Sequence, residues 1–348
     1  MAFDPVPLIV QVQHNCHIAD ARHGTDFGLC TYLMKMREYY RWEKALPYTA
    51  ALEKDAVGDW LSERENLWDA LGEQDYAPIQ LAGKSMDPFD AEAVNRHLQP
   101  HGLMYSAGLV QGGRPQFFLT ELEGREEVSG GFALWVGRRE LARGLYAPPA
   151  MTRGKTIFLR RDALKQLLWE KYESWLWSRP DNALGRALAS YPFLDDIDLA
   201  LELMTVDEMQ VVRAHEVGEY RVGQQLGGAW EPMLMALLGT PAELMLRAVR
   251  DHWADCLETL PLLLSWPEGH PSMHTFVGNL GNMRKSMAPG LGPAYEAWRE
   301  GNPGAMKAWV SRGASHWQAV AEEALELYAA GGADTARRLA AHLERRSI

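Results

Sequence analysis

The longest helix that this sequence predicts spans residues 198–225 and reads DLALELMTVDEMQVVRAHEVGEYRVGQQ. Its apolar and charged residues recur with the period of about 3.6 residues that is typical of an amphipathic helix. Similar patterns predict further helices, with glycine or proline between most of them, over residues 162–178, 241–264, 293–312, 314–330 and 334–345. The second half of the chain is therefore predicted to be helical.

The first 72 residues carry three further segments of this kind. Residues 8–22 predict a short helix, or a strand that leads into one. Residues 26–46 and 50–71 predict two longer helices, and Pro47 ends the first of them because proline cannot continue a helix.

The pattern changes after Gly72. Short β-prone runs occur at residues 76–81, 104–110, 116–122, 132–136 and 156–159. The second and third runs flank a turn that begins at Gly112, which predicts a β-hairpin. We therefore predict a mainly α protein with a multi-helical domain, formed by residues 1–72 and 161–348, that is interrupted by a small α+β insert at residues 73–160.

Composition narrows the class of protein. The chain has 348 residues, 47% of them hydrophobic, which is ample for one large domain or two ordinary ones. A net charge of −11 without a basic face argues against nucleic acid as a partner. Apolar runs stay shorter than the ~18 residues of a membrane span, so no membrane partner is predicted.

Cysteine content and the start of the chain bear on its location. The three cysteines match neither a disulfide framework nor a zinc motif, which favours a reducing compartment. The first residues lack the basic region of a signal peptide. We therefore expect a soluble, cytoplasmic protein.

Acidic residues are concentrated in one stretch of the chain. Residues 193–260 contain 13 Asp and Glu against 4 Arg and no Lys, for a net charge of −9. Such a density is typical of a solvated surface, but it also suits a site for a cation.

The first group with ligand chemistry lies near the start of the chain. His14, His17, Asp20 and His23 follow one another at every third residue. Neighbouring members can share an ion on a helix, but a rotation of about 100° per residue turns His14 and His23 to opposite sides. His14 and His17 are therefore the predicted pair of ligands, with helix capping or packing as the alternative role.

The second group lies in the longest predicted helix. Glu208, His215 and Glu219 are 7 and 11 residues apart and fall on one stripe, which Val212 and Val222 share. Because charged groups among valines are costly to bury without partners, a metal ion or basic side chains would be needed there. The alternative is an acidic face exposed to water.

The third candidate is His252, which lies in line with Met245, Val249 and Cys256 at helical spacing. His252 could bind a metal ion from this face together with Cys256. It is otherwise a core residue whose polar atoms bond to neighbouring groups.

These groups suggest a metal-dependent enzyme with a mixed histidine and carboxylate site. The predicted ligands are His14, His17, Glu208, His215, Glu219 and His252. Fe, Mn or Zn suits such a set, and the reaction on a small-molecule substrate would be hydrolysis or oxidation.

Two other functions remain open. The first is a non-catalytic helical scaffold or regulatory protein that binds a protein partner, which the acidic stretch also fits. The second is an enzyme without a metal, in which Glu216 or His17 acts as general base. No motif is specific enough to indicate a known family.

Overall fold

The structure, a computed structural model, describes residues 3–110, 113–128 and 130–348, apart from the side chains of Thr25 and Val110. Most of these residues are helical, which confirms the prediction of a mainly α protein. The chain divides into two compact units. The first contains residues 1–171 and 193–205, and the second contains residues 172–192 and 206–348.

The first unit combines helices with all the strands that the structure describes. Its helices are α1 (Val6–His23), α2 (Leu29–Glu43), α3 (Lys54–Leu71), α4 (Ala91–Leu98) and most of α5 (Arg161–Leu176). Its strands are β1 (Ile79–Leu81), β2 (Lys84–Met86), β3 (Leu103–Val110), β4 (Arg114–Val128), β5 (Phe132–Arg143), β6 (Ala150–Arg153) and β7 (Thr156–Arg160).

Five strands form one curled sheet in the order β3-β4-β5-β7-β6, and β1 pairs with β2. Strands β5 and β7 are parallel, whereas the other neighbours are antiparallel. The predicted hairpin is confirmed by the β3–β4 register, although its turn residue Gly112 lies outside the described residues. Ser106 of β3 donates a hydrogen bond to the Sδ of Met151 on β6 at 3.4 Å, so the two edge strands approach each other.

Alternate residues of the sheet pack on its two faces. One face, with Tyr105 and Phe117, packs against Leu8 and Val12 of α1. The prediction of a small insert therefore holds only in part. The strands do lie within residues 79–160, as predicted. Helix α1, however, belongs to the same unit as the sheet, because the sheet provides the apolar surface that covers the buried side of α1.

The described residues of the second unit form helices and connecting turns, and none of them lies in a strand. Helix α7 begins in the first unit and continues into the second. The helices are α6 (Ala183–Leu188), α7 (Ile197–Leu226), α8 (Trp230–Ala236), α9 (Pro241–Ala254), α10 (Leu260–Ser265), α11 (Pro271–Asn279), α12 (Asn282–Met287), α13 (Leu291–Arg299), α14 (Pro303–Ala329) and α15 (Thr335–Glu344). A π-helical turn, Asp255–Thr259, joins α9 to α10. Within the described ranges, no helix has the length and hydropathy to cross a bilayer.

One predicted helix boundary is wrong. The sequence suggested a break at Gly313, but the chain breaks at residues 300–302, where Gly301 has a φ of +88°. Helix α14 continues through Gly313, where an added Cβ would lie 2.7 Å from the Sγ of Cys256. This glycine therefore permits close packing and does not end a helix.

A second glycine brings α7 against α9. A Cβ added at Gly218 would lie 2.6 Å from the carbonyl oxygen of Ala254, a distance that no real Cβ contact shows. The absence of a side chain at this position therefore allows the two helix backbones to approach each other.

Two glycine-to-alanine substitutions in α7 test this contact. Gly218→Ala should lower the free energy of unfolding by about 1–3 kcal/mol, because the backbone of α9 must move away. Gly223→Ala is the matched control, since nothing lies within 4 Å of its added Cβ. It should raise the free energy of unfolding by up to about 1 kcal/mol through helix propensity. Urea unfolding measures both, and equal effects would contradict the role of Gly218.

Candidate functional site

The close approach of α7 and α9 brings together three side chains with ligand atoms. His215 and Glu219 lie one turn apart on α7, and Asp251 lies on α9. One ligand atom from each of the three lies within 4.8 Å of the other two. The His215 Nε2 is 3.5 Å from the Glu219 Oε1. The structure thus brings two of the predicted ligands together and adds Asp251, which the sequence did not indicate.

A third carboxylate orients the imidazole. Asp255, which is 1% exposed, lies 2.8 Å through its Oδ1 from the Nδ1 of His215. This contact leaves the Nε2 of His215 on the side of Glu219. Asp255 belongs to the π-helical turn, a local irregularity that often occurs at functional sites.

Two arginines balance the negative charge of this cluster. The Nη2 of Arg250 is 2.8 Å from the Oε1 of Glu219, and the Nη2 of Arg284 bonds to the Oδ2 of Asp255. Burial alone would raise the pKa of Glu219, but Arg250 and His215 hold the pKa of this carboxyl below its usual range. Arg284 and His215 lower the pKa of Asp255 in the same way, again against the effect of burial.

The remaining two groups of the cluster have raised pKa values. Burial and the adjacent Glu219 charge raise the pKa of Asp251 to about 6. Burial would lower the pKa of His215, but the neighbouring Asp255 and Glu219 raise it well above its usual value. The cluster is therefore a charge network in which the imidazole is held as a cation unless another cation replaces its proton.

Glu208 shares a helical stripe with His215 but lies outside this cluster. Seven residues separate the two along α7, which corresponds to about 10 Å of helix. Glu208 is 5% exposed, and burial raises its pKa to about 8, against the effect of Ser272 and Thr275 nearby. A shared stripe therefore does not mean a shared site.

His252 is also outside the cluster and lies in the core. Its Nε2 lies 2.9 Å from the carbonyl oxygen of Arg284, and its ring stacks on Trp317 with 4.9 Å between centroids. Burial and the charge of Arg284 lower the pKa of His252 to about 3. These contacts are those of a neutral core histidine.

His14 and His17 belong to α1, in the first unit. The Nη1 of Arg64 is 2.8 Å from the Nε2 of His17, and Trp68 donates to its Nδ1 at 3.3 Å. Burial and the Arg64 charge lower the pKa of His17 to about 3. A guanidinium beside this nitrogen disfavours a metal ion there. The joint site with His215 and Glu219 stays a prediction.

The first unit contains a polar cleft that the sequence did not indicate. It has a volume of about 770 Å³ and is lined by buried charged residues, including Glu38, Arg41, Glu140 and Arg143. Arg41 pairs with Glu38 at 3.1 Å, and Arg143 with Glu140 at 3.2 Å. These residues come from α2 and β5, so no local pattern joins them. The one available signal is the run of charged residues in the second half of β5, where Glu140 and Arg143 lie three residues apart.

Glu140→Gln tests the charge balance of this cleft. Glu140 also lies 2.5 Å from Arg160, so the substitution leaves two buried guanidinium groups without their carboxylate. We expect the free energy of unfolding in urea to fall by about 3–5 kcal/mol. Glu127→Gln is the control, because its partner Arg125 is exposed and the loss should be below about 1 kcal/mol. Similar losses for the two variants would contradict the argument.

Glu208→Gln tests the cost of a buried carboxyl group. A pKa that rises from 4.5 in the unfolded chain to about 8 in the folded one means that the folded state holds the proton more tightly. The stability contributed by this group should therefore fall between pH 5 and 8, by at most about 1.4 kcal/mol per pH unit.

The variant has no such group, so its stability relative to the wild type should increase from pH 5 to 8. Urea unfolding at several pH values measures this difference, and Glu344→Gln on the surface serves as the control. A difference that stays constant with pH would show that Glu208 does not titrate in this range.

Comparison with known proteins identifies a family. One family model, described as the N-terminal domain of a family of unknown function (DUF6866), matches residues 7–160. A second model, for the C-terminal domain of that family, matches residues 165–346. No curated protein and no solved structure matches the chain. Since the C-terminal model alone covers more than half of its residues, the chain belongs to the DUF6866 family of unknown function.

Proposed function

We propose that the second unit binds a divalent transition metal ion through His215, Glu219 and Asp251, and that the protein is a metal-dependent hydrolase. The observation that carries this proposal is the contact between Asp255 and the Nδ1 of His215. A carboxylate in this position fixes a ligating histidine so that its other nitrogen points to the metal.

The donor set determines which ions are suitable. One imidazole nitrogen and two carboxylates suit Mn, Fe or Zn, because imidazole favours the transition metals and carboxylates accept the harder ions among them. When bound, such an ion lowers the pKa of a bound water, which supplies the nucleophile for hydrolysis. The ligand atoms within 4.8 Å need only small side-chain rotations to bind one ion.

Metal binding requires two changes in the cluster. His215 has to lose the proton on its Nε2, and Glu219 has to exchange the guanidinium of Arg250 for the ion. Asp255 stays in place in this exchange, since it accepts from the Nδ1 of His215 with or without a metal.

Metal content tests the proposal directly. Protein that is purified without chelators, or reconstituted with Mn, Fe or Zn, should hold about one equivalent by elemental analysis. Glu219→Gln and Asp255→Asn should each weaken binding by about 10–100-fold in equilibrium dialysis. Glu344→Gln, on the surface of α15, is the matched control and should bind like the wild type.

Circular dichroism shows whether each variant remains folded. Less than about a tenth of an equivalent of every one of these metals in folded wild-type protein, even after reconstitution, would overturn the proposal. Equal affinities of Glu219→Gln and the wild type would overturn it as well.

A second candidate function is supported by a different observation. Leu199 and Leu203 lie one turn apart on the part of α7 that belongs to the first unit, and they are 48% and 45% exposed. An exposed apolar stripe of this kind favours a protein partner, in line with a non-catalytic scaffold or regulator. Failure of the wild-type protein to bind metal would favour this function, with the His215 cluster as a structural charge network.

A further inference from the structure

The first unit contains a pocket that is distinct in chemistry from the polar cleft. It has a volume of about 440 Å³, within the range of small-molecule sites, and lies between the end of α1, the start of α2, and α3. Its walls combine three aromatic rings with three acidic side chains, namely Phe27, Tyr32, Trp68, Asp20, Glu65 and Asp69. None of its lining residues is basic.

Asp20 is the central acidic group of this pocket. It is 8% exposed, and its two oxygens accept hydrogen bonds from the backbone N–H of Leu145 at 2.9 and 3.0 Å. Among the described residues it has no ion-pair partner. Burial raises the pKa of Asp20 to about 7, against the effects of the Leu145 hydrogen bond and of Arg143 and Arg64. A buried carboxylate without an ion-pair partner is costly in its ionised form, and a cationic ligand would offset that cost.

Hydrogen bonds fix two of the rings. The Tyr32 hydroxyl donates to the Oε1 of Glu65 at 3.0 Å, and the Trp68 indole donates to the Nδ1 of His17 at 3.3 Å. Gly24 lies next to both rings, and a Cβ there would be 3.6 Å from Trp68 and 3.8 Å from Tyr32. The two aromatic surfaces are therefore held in place beside the acidic groups.

The third ring already has cationic neighbours. The Lys35 Nζ lies 5.6 Å from the centroid of Phe27, and the Arg114 Cζ lies 5.3 Å from it. Lys35 is also 3.8 Å from Glu170, so its charge is partly balanced outside the pocket. Phe27 is thus engaged by the protein's own cations, and Tyr32 and Trp68 are the rings that can receive a ligand.

We propose that this pocket binds an organic cation, an amine or quaternary ammonium group carried by a small molecule. Asp20 would be its counter-ion, and the rings of Tyr32 and Trp68 would contact the cation through their faces. Aromatic rings together with a carboxylate are the recognised means of binding such groups. This inference does not depend on the metal site of the second unit.

Two probes of equal shape, one charged and one neutral, test whether the charge of the ligand contributes to binding. Choline and 3,3-dimethylbutan-1-ol differ in that a quaternary nitrogen in the first is a carbon in the second. Isothermal titration calorimetry on the full chain should give at least about tenfold tighter binding of choline than of the alcohol, since only the cation gains from the carboxylate and the rings. Benzyltrimethylammonium serves as a second, larger cation.

Asp20→Asn should weaken binding of either cation by at least about tenfold. The variant is expected to fold, because the asparagine Oδ1 can still accept from the Leu145 N–H, and thermal unfolding checks this. Asp59→Asn, exposed on the same α3 that carries Trp68, is the matched control and should leave binding unchanged.

Three outcomes would overturn the proposal. The first is equal binding of choline and the alcohol. The second is undiminished affinity in folded Asp20→Asn protein. The third is a lack of binding of both cations at concentrations up to about 10 mM.

Discussion

Charge that is removed from water has to be compensated, and this constraint governs the polar interior of both units. In the second unit, Arg250 and Arg284 lie against the carboxylates of Glu219 and Asp255. In the first unit, one carboxylate, Glu140, lies between two arginines. Pairs of this kind add little net stability compared with an apolar core of the same volume, but the loss of one partner is costly.

Local patterns in the sequence were sufficient for most of the elements. The period of apolar residues predicted α7 to within one residue at each end, because a long amphipathic helix is determined by its own residues. The β3–β4 hairpin followed from two β-prone runs at short separation. The helix break near Gly313 was predicted wrongly, because the reason for that glycine is Cys256, 57 residues away in the chain. Contacts between distant segments leave no periodic signal.

The same difference between local patterns and contacts of distant segments applies to the candidate site. His215 and Glu219 could be predicted because their spacing of four residues places them together on any helix. Asp251 and Asp255 could not be predicted, since they lie at the site only because α9 packs against Gly218 of α7. Glu208 was included in the prediction because periodicity reports direction around a helix axis and ignores distance along it. The buried charges of the first unit come from several segments, and each one alone is an ordinary polar residue.

The position of Arg250 bears on whether a metal ion can enter the cluster. A cation that approaches Glu219 has to displace this guanidinium, and a displaced buried guanidinium without a new partner would cost several kcal/mol. Arg250 also lies 3.4 Å from Glu231 and 3.9 Å from Asp251. Glu231 is 69% exposed and is not among the three ligands, so it can take over the pairing when Glu219 and Asp251 turn to an ion. The exchange would therefore leave no buried charge unpaired, because Arg250 has three carboxylate neighbours and the ion would use two of them.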